Sequence, residues 1–305
     1  MLRCKQIVNG LLRIFDPHQP LHLLKGKEAG MDIHMFIDFL QRNLGLTPRL
    51  IAPADLRLVP DPESKASFKL CCTTEDTCGS PQSIYWKGEI LEEIHQVGLE
   101  LHQQELMALS PEMLRQLSLR CFNDIRTVLL VHDKRMLGIV QQELQSLVAR
   151  GVLSPSQADC LDNGVAKTMI PGSPELMAFL TRCRMSPELK DSYLLKPVRS
   201  GKGDGIVFGD ALSPSEWISR LERLRCADLE PGNGTCVVQR KVSHLLYDVM
   251  LQDSGMKERY PLVGTYHSIG GEYMGLGIWR SSLDRICAVS HGGAWICSVM
   301  SCESY

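Results

Sequence analysis

Apolar positions recur along the chain with two different periods. Ile33, Phe36, Ile37 and Leu40 fall on one helical face, and Gly45 closes the segment, so a helix is predicted from about Asp32. A short strand follows at 49–51. Residues 60–83 are dense in Pro, Ser, Thr, Asp and Gly, with Pro60-Asp61-Pro62 and Gly79-Ser80-Pro81, and predict a surface excursion. Ile90, Ile94, Val97 and Leu101 are spaced by four, three and four residues, and Leu106 extends the series, so a long helix is predicted over about 90–106. Ser110-Pro111, Ser154-Pro155 and Ser173-Pro174 each place a capping hydroxyl before a proline at the first helical position.

The texture then becomes mixed. A buried strand is predicted at 125–131, and an amphipathic helix carries Leu137, Val140, Leu144 and Leu147 up to Gly151. Strands are predicted at 192–198 and 206–208, around a glycine-rich loop. A helix from Ser213 to about Arg225 carries Trp217, Ile218, Leu221 and Leu224. Beyond Thr235 strands dominate, at 236–242, 245–251, 262–269, 273–279, 286–289 and 295–300, with Gly270-Gly271 as a hairpin turn. This order predicts an α+β arrangement of layers around a cleft, not a doubly wound parallel sheet. Two regions are expected, 1–120 helical or mixed and 121–305 carrying the chemistry.

Composition narrows the function classes. The 305 residues include 33 Lys plus Arg and 35 Asp plus Glu, a net charge of −2, which argues against a nucleic-acid coat or a polybasic membrane binder. No stretch approaches the ~20 apolar residues of a membrane span. Asn9, Gly10, Arg13 and Asp16 interrupt any leader-like apolar run, so a cytoplasmic chain is expected. The 12 cysteines are scattered, without a C-x-x-C, and read as free thiols. His95 and His102 read as boundary residues, and no metal ligand set is assigned.

The chemistry gathers between Tyr193 and Gly209. Lys196 ends a strand, and Arg199-Ser200-Gly201-Lys202-Gly203-Asp204-Gly205 returns the chain into another. Glycines let backbone N–H groups approach phosphate oxygens, Lys196 supplies a fixed cation and Lys202 a mobile one. No Walker A string occurs. Gly201, Gly203 and Gly205 lack the G-x-G-x-x-G spacing, and the kinase signatures H-R-D and D-F-G are absent. Downstream, Cys236-Val237-Val238-Gln239-Arg240-Lys241-Val242 reads as a strand able to line an adenine pocket. Upstream, Lys134 follows His132-Asp133 at an expected strand-to-helix junction, where orphan N–H groups favour phosphate. Arg280 stands on a late strand, ahead of Gly292-Gly293.

Over roughly residues 120–300 this set resembles the circularly permuted ATP-grasp group related to glutathionylspermidine synthase. The resemblance implies an ATP-grasp-like fold with a nucleotide cleft between two α+β subdomains. It places the nucleotide region at 121–305, and 1–120 becomes the remainder of a substrate-binding half. Lys134 and Lys196 would contact phosphates, and Ser200, Gly201, Gly203, Asp204 and Gly205 would form the flap over them. Gln239, Arg240, Lys241 and Val242 would line adenine, while Arg280 and Lys202 would serve the transferred phosphoryl group. ATP and Mg²⁺ would be used, with small-molecule carboxylate and amine substrates. An ADP-forming ligase reaction through an acyl phosphate is implied. The sequence departs from the group in one respect: its Arg-x-Asp and Glu-x-Asn metal-binding elements have no good counterpart, Arg13-Ile14-Phe15-Asp16 being a poor substitute. The N-terminal part of the pattern is therefore incomplete. A nucleotide-binding module without turnover, and a phosphotransferase using the same cleft, stand as alternatives.

Overall fold

The computed structural model describes residues 7, 9–27, 30, 32–74, 83–226, 234–251, 255–289 and 292–296. The chain divides into two compact units, Met1–Leu129 with His267–Gly275, and Leu130–Tyr266 with Leu276–Tyr305. Both mix helices and strands.

In the first unit, β1 (Leu21–Lys25) is followed by the predicted helix Asp32–Leu44, which buries Ile33 and Leu40, and then by β2 (Arg49–Ile51). A second sheet is antiparallel: β3 (Leu56–Pro60), β4 (Phe68–Thr73), β5 (Ser83–Trp86) and β6 (Glu89–Glu93), in the spatial order β3-β4-β6-β5. The chain then returns as β7 (Gln96–Glu100) to pair in parallel with β1, so that β1 lies between β2 and β7. Leu24, Leu70, Ile94, Val97, Leu106 and Leu117 form the centre of this unit's core.

Three sequence expectations are corrected here. The segment 90–106 is not one helix. It is the end of β6, a break at His95, the strand β7 and the short helix Gln103–Ala108. Its apolar series is buried because consecutive strand residues of β7 (Gln96, Val97, Gly98) are enclosed on both faces, which blurs the alternation of a half-exposed strand. The polar excursion contains the buried strand β4, with Leu70, Cys71 and Cys72 fully enclosed. Ile125–Val131 is a helix, because Asp124 caps it: its carboxylate accepts the Arg126 N–H at 3.0 Å and its carbonyl the Val128 N–H at 3.1 Å. Ile125, Val128 and Leu129, spaced as neighbours on a helix, then face the core.

The second unit centres on an antiparallel sheet of β8 (Thr168–Met169), β9 (Tyr193–Pro197), β10 (Val207–Phe208) and β11 (Cys236–Arg240), in the order β10-β9-β11-β8. Helices Pro174–Met185 and Pro214–Arg223 cover one face, where Leu176, Phe179, Trp217 and Leu221 pack on Leu195 and Val238. The serine caps act as predicted: Ser154, Ser173 and Ser213 accept from the third residue on, at 3.2, 3.2 and 3.3 Å. Near β8, helix Arg135–Ala149 uses Gln141 to bond Thr168 N–H at 3.0 Å and Val165 O at 3.0 Å.

Two ribbons complete the described chain. β12 (Leu246–Val249) pairs with β13 (Glu258–Pro261), a strand the sequence reading missed. β14 (Val263–Ile269), β15 (Glu272–Ser281) and β16 (Ala294–Ile296) form a second sheet, with Gly270-Gly271 at the turn. Residues 286–289 form a turn, not a strand: Ala288 N–H bonds Ile286 O at 3.0 Å and Gly293 N–H bonds Ala288 O at 3.1 Å. Of the predicted strand 295–300, residues 297–300 lie outside the described residues, as does His291. No helix among the described residues is long and apolar enough to cross a membrane.

Candidate functional site

The candidate site lies within the second unit, at the end of β9. Alternation along β9 puts Leu195 on the helix-covered face, so Leu194 and Lys196 face the other way. In β11, Val237 and Gln239 share that face with Lys196, since Val237 is paired with Lys196 and Gln239 with Leu194. Lys134 stands at the entry of helix Arg135–Ala149, where its N–H bonds Val198 O at 3.0 Å. That bond ties the helix entry to the end of β9, so two lysines 62 positions apart come within electrostatic reach.

Their protonation records this proximity. Burial is the main influence lowering the Lys134 amine below the ordinary lysine value, and the Lys196 charge lowers it further, against an opposing pull from Asp133. Lys196 is lowered by burial. Holding two ammonium groups in one half-buried region is unfavourable unless an anion joins them. Lys134 Nζ also donates to Ser200 O at 2.7 Å, fastening the start of the glycine loop.

The loop is a tight hairpin connection between β9 and β10. Asp204 N–H bonds Gly201 O at 3.0 Å, with Lys202 at φ 57° and Gly203 at φ 88°, the signs of a type I′ turn. Lys202, Asp204 and Gly205 are exposed, and Gly203 packs on Ile286, whose Cγ2 lies 2.2 Å from where a Cβ would stand. Gly205, at φ 72°, lies against Pro197. The loop tip is thus presented to solvent from a fixed base.

The residues expected to line adenine divide. Gln239 is buried and its amide donates to Thr168 Oγ1 at 2.9 Å, so its N–H is engaged within the protein. Arg240 and Lys241 use their backbone N–H groups on Lys167 O and Ser192 O, both at 2.8 Å. Val242 is exposed. Lys241 Nζ bonds Asp210 Oδ2 at 3.0 Å, and Arg285 reaches the same oxygen at 2.7 Å while stacking over Phe208 at 3.9 Å. The Arg285 hydrogen bond, with help from Lys241, holds the Asp210 carboxyl down to about 2.

Arg280 stands on β15 opposite Trp295, and its Nε is buried without a hydrogen-bond partner. Burial pushes the Cys287 thiol up, and the Arg280 charge acts against that shift. The sequence reading passed over Asp133 as a site element. It is buried, Arg135 grips it bidentately at 3.0 and 2.6 Å, and Arg199 Nε approaches at 3.6 Å. Burial alone would raise the Asp133 carboxyl; the Arg135 bonds outweigh it and the group stays low. The Asp133-Lys134-Arg135 run next to an Arg-initiated loop was the signal available for it.

Neither Asp133 nor Asp210 is open to hold a Mg²⁺ ion. Asp133 is taken by two arginines and Asp210 by a lysine and an arginine. Among the described residues, the grouping of three metal-ligating side chains is found elsewhere, in the first unit. What the site can do by itself is hold a polyanion: two half-buried amines, a glycine-rich turn and the exposed Lys202 on that turn.

Residues 2–130 match the family described as the AnkG N-terminal domain. The chain is 39% identical over 292 residues to the ATP-grasp enzyme ankG of Aspergillus thermomutatus, a match covering 94% of this chain and 60% of that protein. Among solved structures, the ATP-grasp ligase PsnB complexed with minimal precursor overlaps 87% of this chain and 78% of its own, with 14% identity and a TM-score of 0.40. The D-cycloserine synthetase DcsG overlaps 73% of this chain and 59% of its own, with 16% identity and a TM-score of 0.35. At those TM-scores neither structure fixes the fold. The chain spans about 60% of the length of the curated relative it matches.

Proposed function

We propose that this chain is the nucleotide-binding part of an ATP-dependent ligase of the ATP-grasp type, in the permuted, glutathionylspermidine-synthase-like order, with 121–305 as the nucleotide region. The observation that carries the reading is the Lys134–Lys196 pair, two half-buried amines at the base of one glycine loop. The sequence match to a protein named as an ATP-grasp enzyme supports it.

In this reading the triphosphate lies between the two amines and beneath the 199–205 turn. Lys196 and Lys134 neutralise the phosphate oxygens, and Lys202 on the loop tip closes over the γ-phosphate. A substrate carboxylate attacks that phosphorus, giving an acyl phosphate and ADP. An amine then attacks the acyl carbon and phosphate departs, leaving an amide. Charge passes through a region where fixed cations are worth more than in water, so positioning and electrostatics carry the step. Arg280, with an unpartnered buried Nε, is the further cation available to a phosphoryl group or a substrate carboxylate. Where Mg²⁺ is bound it would add charge neutralisation. Asp133 and Asp210 are held in ion pairs and are not open to it.

A second reading keeps the nucleotide site without turnover. It is favoured by the engagement of Asp133 with Arg135 and of Asp210 with Lys241 and Arg285 in ion pairs. One experiment separates the two. ATP at 100 times its Kd should raise the stability of the wild-type chain by about 2.7 kcal/mol. Lys196→Ala should abolish that rise while the unliganded melting temperature stays within a few degrees. ADP release that requires both a carboxylate and an amine selects the ligase; ATP-dependent stabilisation without release selects the silent module. Full ATP affinity in Lys196→Ala removes the basis for both.

A further inference from the structure

We propose that the first unit carries a transition-metal site, of the chemistry that suits Zn²⁺, built from His22, Cys72 and Glu92. One ligand atom from each lies within 4.8 Å of the other two. His22 is on β1, Cys72 on β4 and Glu92 on β6, so the site links the parallel sheet to the antiparallel one. Cys72 and Glu92 are directly paired across β4 and β6, which places their side chains on the same face at close range. His22 then closes the triangle, with Nε2 3.4 Å from Glu92 Oε1.

An independent observation points to a ligand. His22 is fully buried, and neither ring nitrogen makes a hydrogen bond of good geometry; Nε2 faces Glu92 Oε1 at 3.4 Å, and the Gln96 backbone lies close enough to influence the ring. A buried imidazole so poorly satisfied is uncommon in folded proteins and calls for an explanation such as an ion. The remaining donors are arranged to serve one. Glu92 turns its Oε1 towards His22, while Arg49 holds its Oε2 and also donates to Thr73 O at 3.1 Å. An outer partner that fixes the orientation of a ligating carboxylate is the usual support of a metal centre.

The donor set selects the metal class. One nitrogen, one sulfur and one oxygen exclude Mg²⁺ and Ca²⁺, which take oxygen ligands, and suit Zn²⁺ with a fourth position left for water or a further side chain. On binding, Zn²⁺ and the Cys72 thiol would give the zinc thiolate and release one proton, with His22 neutral and Glu92 ionised. No redox change occurs. The site belongs to the first unit and the lysines to the second, and it would act by bracing β1, β4 and β6 in one place.

The test uses the full chain. After zinc-supplemented expression and desalting, elemental analysis should find about one zinc per chain. Cobalt(II) added to the demetallated chain should produce a near-ultraviolet thiolate-to-metal charge-transfer band. Cys72→Ser should lose that band and the bound zinc. Cys71→Ser is the control: that thiol is equally buried but packs with Val59 and Leu91, and it should keep both. Wild-type protein that takes up neither zinc nor cobalt, or binds cobalt without the thiolate band, overturns the proposal even if the Cys72 variant fails to fold. Zinc retained in full by a folded Cys72→Ser overturns it as well.

Discussion

Gly203 and Gly205 hold the loop after β9 in a form that other residues reach only with strain. At φ 88° and 72° a side chain is disfavoured by ~1–2 kcal/mol, and a Cβ on Gly203 would also meet Ile286 Cγ2. Gly201 differs: it has no positive φ, and nothing lies within 4 Å of its Cβ position. Gly203→Ala should therefore lower stability by roughly 1–3 kcal/mol and weaken ATP binding together, since the turn must open to admit the methyl group. Gly201→Ala should leave the urea midpoint almost unchanged. Equal effects of the two substitutions would show that the loop's shape is not held by its base. At this scale the sequence was informative, because alternating glycines after a strand-borne lysine allow few conformations. It did not show that Gln239 is turned inward onto Thr168, since a buried strand reads the same whichever face its polar residue takes.

Elements were legible where a local signal settled them. Ser110-Pro111, Ser154-Pro155, Ser173-Pro174 and Ser213-Pro214 all start capped helices, because the hydroxyl satisfies an orphan N–H and the proline has none to lose. Legibility failed where burial erased the period. Ile94, Val97 and Leu101 are enclosed whether they lie on a helix or on strands, and only the tertiary pairing of β7 with β1 decides. The same misreading hid the metal-site candidate. Cys72 lay in a stretch taken for surface, Glu92 in one taken for a helix, and His22 fifty residues before Cys72. The helix Pro214–Arg223 shows the opposite case, with Trp217 and Leu221 spaced by four and both buried against the sheet that carries Lys196. Leu221→Ala should cost about 2–5 kcal/mol by removing a fully enclosed side chain. Because the loss acts through β9 and β11, ATP-dependent stabilisation should fall only in proportion to the fraction unfolded, which a denaturant series with and without ATP measures. A loss of ATP affinity in the fully folded variant would place Leu221 closer to the ligand than the geometry does.

Each of the two units has its own enclosed core, one around Leu24, Leu70 and Ile94, the other around Leu176, Trp217 and Leu221. A single melting temperature can report that a ligand binds, but it does not say which unit the ligand holds. Amide hydrogen exchange reads the units separately, because local opening need not pass through global unfolding. A ligand present at 100 times its Kd adds about 2.7 kcal/mol to the opening of the segments it holds, roughly a hundredfold slowing of their exchange. ATP should slow the Tyr193–Pro197 strand, the loop after it and the first turn of Arg135–Ala149, whose amides surround the two lysines. Zn²⁺ should slow Leu21–Lys25, Phe68–Thr73 and Glu89–Glu93, the three strands that supply its donors. The discriminating observation is the crossed pair of experiments. Lys196→Ala should erase the ATP pattern and keep the zinc pattern, and Cys72→Ser should do the reverse. Zinc protection that appears around Lys196 in place of β1, or ATP protection confined to the first unit, would mean that the two sites have been assigned to the wrong halves of the chain.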